Sequence, residues 1–169
     1  VTTEVFHGRG PIVVMGVSGC GKSTVGAKLA ARPDVPFADA DDLHPASNIV
    51  KMAAGIALTD ADRWPWLDLA GEWLAANPRG VLSCSALRRT YRDRLRAHCA
   101  SAFFVHLDGD RSLIARRQAD RPGHFMPASL LESQFRDLEP LESDEAGVVV
   151  DVGDDPDAIV DGLYQRLLR

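Results

Sequence analysis

The sequence predicts an α/β protein in which a five-stranded parallel sheet is covered by helices on both faces. Three observations carry this. Short, nearly continuous apolar runs alternate with stretches of helical period along the chain. Those runs are apolar at successive positions, as in strands buried on both faces. The first of them stops at a glycine-rich segment, GVSGCGKSTVG (Gly16 to Gly26), which opens directly into a helical pattern. Ligands of such sheets bind in the crevice beyond the carboxyl ends of the strands.

Taken in order, PIVVMG is a β-branched strand ending at Gly16, and STVGAKLAARP is a helix that Pro33 ends. VPFADADDLHP is a second strand running into carboxylates, with Pro45 barring easy continuation as a helix. The stretch PASNIVKMAAGIALTDADRWPWLDLAGEWLAANP reads as helices broken near Gly55, restarted with Thr59 as N-cap and ended at Asn77-Pro78. GVLSCSAL is a third strand, RRTYRDRLRAHC a basic amphipathic helix, AFFVHLD a fourth strand and RSLIARRQADR a further helix. GVVVDV is the fifth strand, and DPDAIVDGLYQRLLR closes as a helix with Asp157 near its positive end. The remaining segment, PGHFMPASLLESQFRDLEPLESDEA, is too long for a simple connection and suggests a lid over about residues 117–140.

At 169 residues the chain fits one domain, expected over 11–169 behind a tail of residues 1–10. A net charge of -5 argues against a nonspecific nucleic-acid binder, and no apolar run approaches the length of a membrane span. Small-molecule partners are expected. Cys20, Cys84 and Cys99 are odd in number and lack metal spacing, which predicts reduced thiols in a cytoplasmic protein.

Gly16, Gly21, Lys22 and Ser23 fill the pattern G-x-x-x-x-G-K-[ST] between a strand and a helix, the context this phosphate loop requires. Glycines let successive backbone N–H groups turn toward phosphate oxygens, and the helix adds its positive end. Lys22 would bridge the β and γ phosphates, while the Ser23 hydroxyl would meet Mg²⁺, so ATP with Mg²⁺ is implied. The expected nucleotide set is Gly16, Val17, Ser18, Gly19, Cys20, Gly21, Lys22, Ser23 and Thr24. The fold class is thereby a P-loop NTPase three-layer sandwich.

DADDLH puts Asp39 and Asp41 on one side of an extended strand end and Asp42 on the other. Carboxylates there can orient an acceptor hydroxyl and take its proton, or hold magnesium waters. The third strand ends without an aspartate, so the metal carboxylate is expected from this cluster, at Asp39. That favours a small kinase over a mechanical ATPase.

GVSGCGKSTVG, DDLHP, LTDADRWPWL, CSALRRTYRDRLR and GHFM, in this order, resemble gluconate kinase (gluconokinase) of the small P-loop kinase type, from about residue 11 onward. The resemblance implies a nucleoside-monophosphate-kinase-like fold with a lid, commonly a homodimer. It implies transfer of the ATP γ-phosphoryl group to the 6-hydroxyl of D-gluconate. Asp41 is then the expected base, with Lys22 and Arg121 as its catalytic companions. Ala40 stands where the family usually has glycine, so a positive φ there would be strained.

Gluconate carries a carboxylate and several hydroxyls, which call for a cation and short polar groups. Arg63 and Arg88 are both candidates for the carboxylate, and His44 and Lys51 flank the same crevice. Arg117 and Arg121 lie four apart on one helix face and could reach the nucleotide as the lid closes. His124 and Gln134 resemble family positions facing the substrate. Trp64, Trp66 and Trp73 read as packing residues. Shikimate kinase is the rival enzyme, and an ATP-binding module without an acceptor is the rival of another class.

Overall fold

The computed structural model describes residues 10–120 and 128–167. The strands are β1 (Ile12–Met15), β2 (Phe37–Asp39), β3 (Val81–Ser83), β4 (Phe103–Asp108) and β5 (Gly147–Asp151). They form one five-stranded parallel sheet in the order β2-β3-β1-β4-β5. The helices are α1 (Lys22–Ala31), α2 (Ala46–Ala53), α3 (Asp60–Ala76), α4 (Arg89–His98), α5 (Arg111–Ala119), α6 (Ala128–Asp137) and α7 (Pro156–Leu167).

Alternation along the central strand β1 divides the core. Ile12 and Val14 face a layer built from Val25 and Leu29 of α1, Ile114 of α5, Leu131 of α6 and Ile159, Val160 and Leu163 of α7. Val13 and Met15 face the opposite layer, with Trp66, Leu67, Ala70 and Leu74 of α3 and Tyr91 and Leu95 of α4. Both faces of the sheet are therefore dry, which is why the strands read as unbroken apolar runs. Thr59 caps α3 with a full capping box, its hydroxyl accepting from Asp62 N while the Asp62 carboxylate accepts from Thr59 N. No described helix is long and apolar enough to cross a membrane.

Two local expectations are corrected. The chain does not stay extended through the aspartates: β2 ends at Asp39, and Ala40–Leu43 form a 3-10 turn. The Asp39 carboxylate accepts the Asp41 N–H at 2.9 Å, the local bond by which aspartate starts such a turn. Strict alternation of Asp39, Asp41 and Asp42 is lost as a result. Ala40 is fully buried and is not among the described residues with positive φ, so its methyl group is accommodated without that strain. Part of the long insertion, moreover, is the regular helix α6, seated on the core through Leu131.

Beyond α6 the chain is pinned to the start of α4. Arg92 and Glu145, neither side chain exposed, pair at 2.7 Å, and Arg92 also donates to the carbonyls of Ala86, Leu87 and Pro140. Burial alone would raise the Glu145 pKa, but the bonds from Arg92, the Glu142 N–H and Arg96 outweigh it and hold the carboxyl at about 2. Removing one partner strands the other charge in the interior. Glu145→Gln is therefore expected to lower unfolding free energy by about 3–5 kcal/mol, read by urea denaturation. The lowered carboxyl supplies stability in full above its ordinary value near 4.5 and loses it as pH falls toward 2. Acid sensitivity in that window should shrink in the variant.

Candidate active site

The chain turns from β1 into α1 through a backbone that only glycine tolerates comfortably. Gly21 sits at φ 95° as the N-cap of α1, and a Cβ on Gly16 would meet Cys20 Sγ at 2.7 Å and the Leu107 carbonyl at 2.8 Å. Val17 and Cys20 point into the core, so what they offer a ligand is backbone. Burial pushes the Cys20 thiol up, consistent with an inert packing role. Ser18, Gly19, Gly21, Lys22, Ser23 and Thr24 line a cleft of about 930 Å³ at the carboxyl ends of the strands. The Lys22 ammonium donates to the Val17 carbonyl at 3.1 Å, which folds it over the loop.

Across from the loop, the second strand delivers its carboxylates. Asp39, Asp41 and Asp42 all line the cleft. Asp39 has a double engagement: one oxygen holds Asp41 N, and the other accepts from the Ser23 hydroxyl at 2.5 Å. Ser83, the register partner of Asp39 on β3, lies 3.5 Å from the same hydroxyl. Ser23 and Asp39 thus form a pair of hard oxygen donors beside the phosphate loop.

The acceptor end of the cleft is walled by His44, Ile49, Met52, Ile56, Leu58, Arg63 and Trp66. His44 stacks on Trp66 with ring centroids 4.2 Å apart and planes at 13°, and Asn48 Nδ2 lies 3.3 Å from His44 Nδ1. Burial, and then the nearby Arg63 charge, lower the His44 pKa to about 4, so the ring is neutral around pH 7. Trp66 in turn donates its indole N–H to the Ala40 carbonyl at 2.7 Å, tying the 3-10 turn to α3. Arg63 donates to the Leu58 carbonyl at 2.6 Å and to the Tyr91 hydroxyl at 3.1 Å, and Tyr91 donates to Asp60 at 2.6 Å.

The other expected residues divide. Arg117 and Gln134 line the cleft. Arg88 does not: its side chain is 42% exposed and bonds Asp137 at 2.7 Å, just outside the lining. Lys51 is also absent from the lining, because α2 turns its ammonium onto the Asp62 carboxylate at 2.8 Å and 2.9 Å. Arg121 and His124 lie outside the described residues. Residues that spacing did not flag also stand in the lining: Trp66, expected only to pack, Gln118, whose carbonyl accepts from Ser18 Oγ at 3.1 Å, and Asp137. Only three-dimensional packing brings them there.

With this geometry in view, comparisons with known proteins are specific. The family described as shikimate kinase matches residues 18–168. A gluconokinase of Gluconobacter oxydans is 47% identical over 159 residues, covering 92% of this chain and 89% of the relative. The crystal structure of a gluconokinase from Sinorhizobium meliloti superposes with a TM-score of 0.86 at 48% identity, covering 95% of this chain and 94% of that one. The chain belongs to the gluconokinase family. A shikimate kinase from Bacteroides thetaiotaomicron, at 18% identity and a TM-score of 0.69 over 93% of this chain and 97% of its own, shares the fold alone. For this gluconokinase-family chain, the architecture is thus that of small P-loop kinases, and ATP is the co-substrate of such kinases.

The His44 environment makes a testable statement. The folded ring stays neutral down to about pH 4, whereas the unfolded ring takes a proton below its ordinary value near 6.5. Its contribution to stability is present above pH 6.5 and is lost as pH falls toward 4. In thermal melts between pH 7 and pH 4.5, His44→Gln should lose less stability on acidification than the parent protein.

Proposed function

We propose that the protein transfers the γ-phosphoryl group of ATP to the 6-hydroxyl of D-gluconate, giving 6-phospho-D-gluconate and ADP. The observation that supports this best is the facing of the phosphate loop by Asp41, His44 and Arg63 across one cleft, in a chain of the gluconokinase family. Residues 11–169 act in this reading as one kinase unit, with about 117–140 as the lid. Its setting is the cytoplasm, in keeping with three free cysteines, and its homodimeric state rests on the family resemblance.

The nucleotide lies on the backbone N–H groups from Gly16 to Thr24, with Lys22 on its β and γ phosphates and Arg117 and Arg121 approaching the transferring group. Ser23 and Asp39 suit Mg²⁺: both offer hard oxygens, and their short contact marks a place where a cation could gather them. No group of three or more His, Cys, Asp or Glu gathers among the described residues, so phosphate oxygens and water would complete the shell. Bound there, Mg²⁺ would neutralise phosphate charge.

On the acceptor side, Arg63 takes the gluconate carboxylate, and Arg88, close to the same Asp137, is the second cation within reach. Neutral His44, His124 and Gln134 suit hydroxyls, which need both donors and acceptors. Lys51, committed to Asp62, contributes by holding α2 against α3. Asp41 accepts the proton of the attacking hydroxyl as the new O–P bond forms and the bond to the ADP oxygen breaks. Arginine in such a position is worth about 10³–10⁵ in rate.

Coupled ADP release with Mg-ATP should be stimulated by D-gluconate and not by shikimate or by buffer alone. Stimulation by shikimate instead would reassign the acceptor, and no stimulation by any sugar acid would leave a nucleotide-binding module. Asp41→Asn should cut kcat by roughly 10²–10⁴, the usual yield of a general base, with nucleotide affinity retained; unchanged turnover removes Asp41 from the mechanism. Arg63→Leu should raise KM for gluconate far more than Lys51→Leu does.

A further inference from the structure

Helix α6 presents one face to the cleft. Leu130, Ser133, Gln134 and Asp137 line it at helical spacing, while Leu131 packs into the core and Phe135 lies under Arg111 at 4.8 Å. Two of the lining residues carry oxygen acceptors, and both are engaged. Gln134 Oε1 accepts the backbone N–H of Ser18 at 2.7 Å, an amide of the phosphate loop. One turn later, Asp137 bonds Arg88 at 2.7 Å with one carboxylate oxygen and lies 4.0 Å from Arg63 with the other.

Each contact has the chemistry of a ligand. A carbonyl oxygen on a phosphate-loop N–H occupies a donor that would otherwise serve a phosphate oxygen. A carboxylate between two guanidinium groups occupies the cations that would otherwise serve a sugar-acid carboxylate. Asp60, 4.0 Å from Arg63, adds to the neutralisation. A carboxylate arriving while Asp137 is in place would meet two like charges beside the arginines.

The geometry points to α6 as an internal stand-in for both substrates: Gln134 occupies the nucleotide site and Asp137 the acceptor site, so that each ligand, by displacing the helix face, eases binding of the other. This rests on the nucleotide and acceptor assignments proposed above. A phosphate oxygen that takes the Ser18 N–H releases Gln134 and with it one of the two polar holds on this face. Asp137, three residues along the same face, is then freer to leave the arginines. Binding free energies are reciprocal, so gluconate must help the nucleotide by the same factor.

Titration calorimetry tests this with D-gluconate and a non-hydrolysable ATP analogue with Mg²⁺, each bound alone and in the presence of the other. The parent protein should bind gluconate roughly five- to twenty-fold tighter when the analogue is present, within the usual range of such coupling. Gln134→Ala should bind the analogue several-fold tighter without acceptor, and Asp137→Asn should bind gluconate several-fold tighter without nucleotide. In both variants the mutual enhancement should fall toward one. Both side chains stand at the cleft rather than in the core, and equal melting temperatures confirm intact folding. Independent binding in the parent protein overturns the proposal, as does weaker binding in the variants with the enhancement intact, which would make the two residues props for the loop and the arginines. If gluconate binds in no state while Gln134→Ala still tightens the analogue, the acceptor assignment fails and the nucleotide arm of the stand-in holds.

Discussion

A guanidinium and a carboxylate without solvent exposure, Arg92 and Glu145, hold the seam on which the cleft is built. Their pairing is obligatory, because either charge alone would sit uncompensated in the interior. It fastens the segment after α6 to the start of α4, and neighbouring bonds reinforce it: Glu139 N donates to the Leu87 carbonyl at 2.7 Å, and Arg89 pairs with Glu142 and Asp144. Since α6 enters this segment directly, the seam decides where the helix lies. It lies opposite the phosphate loop, with Asp137 between the arginines of α3 and the start of α4.

A second constraint joins the two halves of the site. Asp39 ends β2, and its two oxygens serve different masters: one starts the turn that places Asp41, and the other receives Ser23 from the mouth of α1. Sheet register brings β2 and α1 close enough for one carboxylate to span them. Trp66 and His44 then support the far side of the same turn from α3. The acceptor wall and the nucleotide loop are thus braced against each other through a few side chains rather than positioned independently.

The strand and helix order was legible because its signals are local and strong. Both faces of β1 are dry, so it reads as an unbroken apolar run; Thr59 and Asp62 form their capping box within four residues; Gly16 and Gly21 declare a loop that needs unusual backbone. The phosphate loop was legible for the same reason. What escaped depends on contacts remote in sequence or on competition between local preferences. Extended geometry was expected through Asp41, yet the Asp39 side chain captures a backbone N–H and curls the chain. Lys51 looked available until α3 supplied Asp62. Asp137, Gln118 and Trp66 reach the cleft only because the sheet, α5 and α3 converge there, and no spacing rule encodes that convergence.

The stack of His44 on Trp66 also has an optical consequence. Trp66 is 2% exposed, hydrogen-bonded through its indole nitrogen, and in van der Waals contact with a neutral ring at the wall of the cleft. Indole emission depends on the polarity around the ring and on quenchers at contact distance, and a protonated imidazole quenches more strongly than a neutral one. The protein therefore carries its own chromophore at the acceptor wall, silent to the bulk solvent and sensitive to whatever settles against its neighbour.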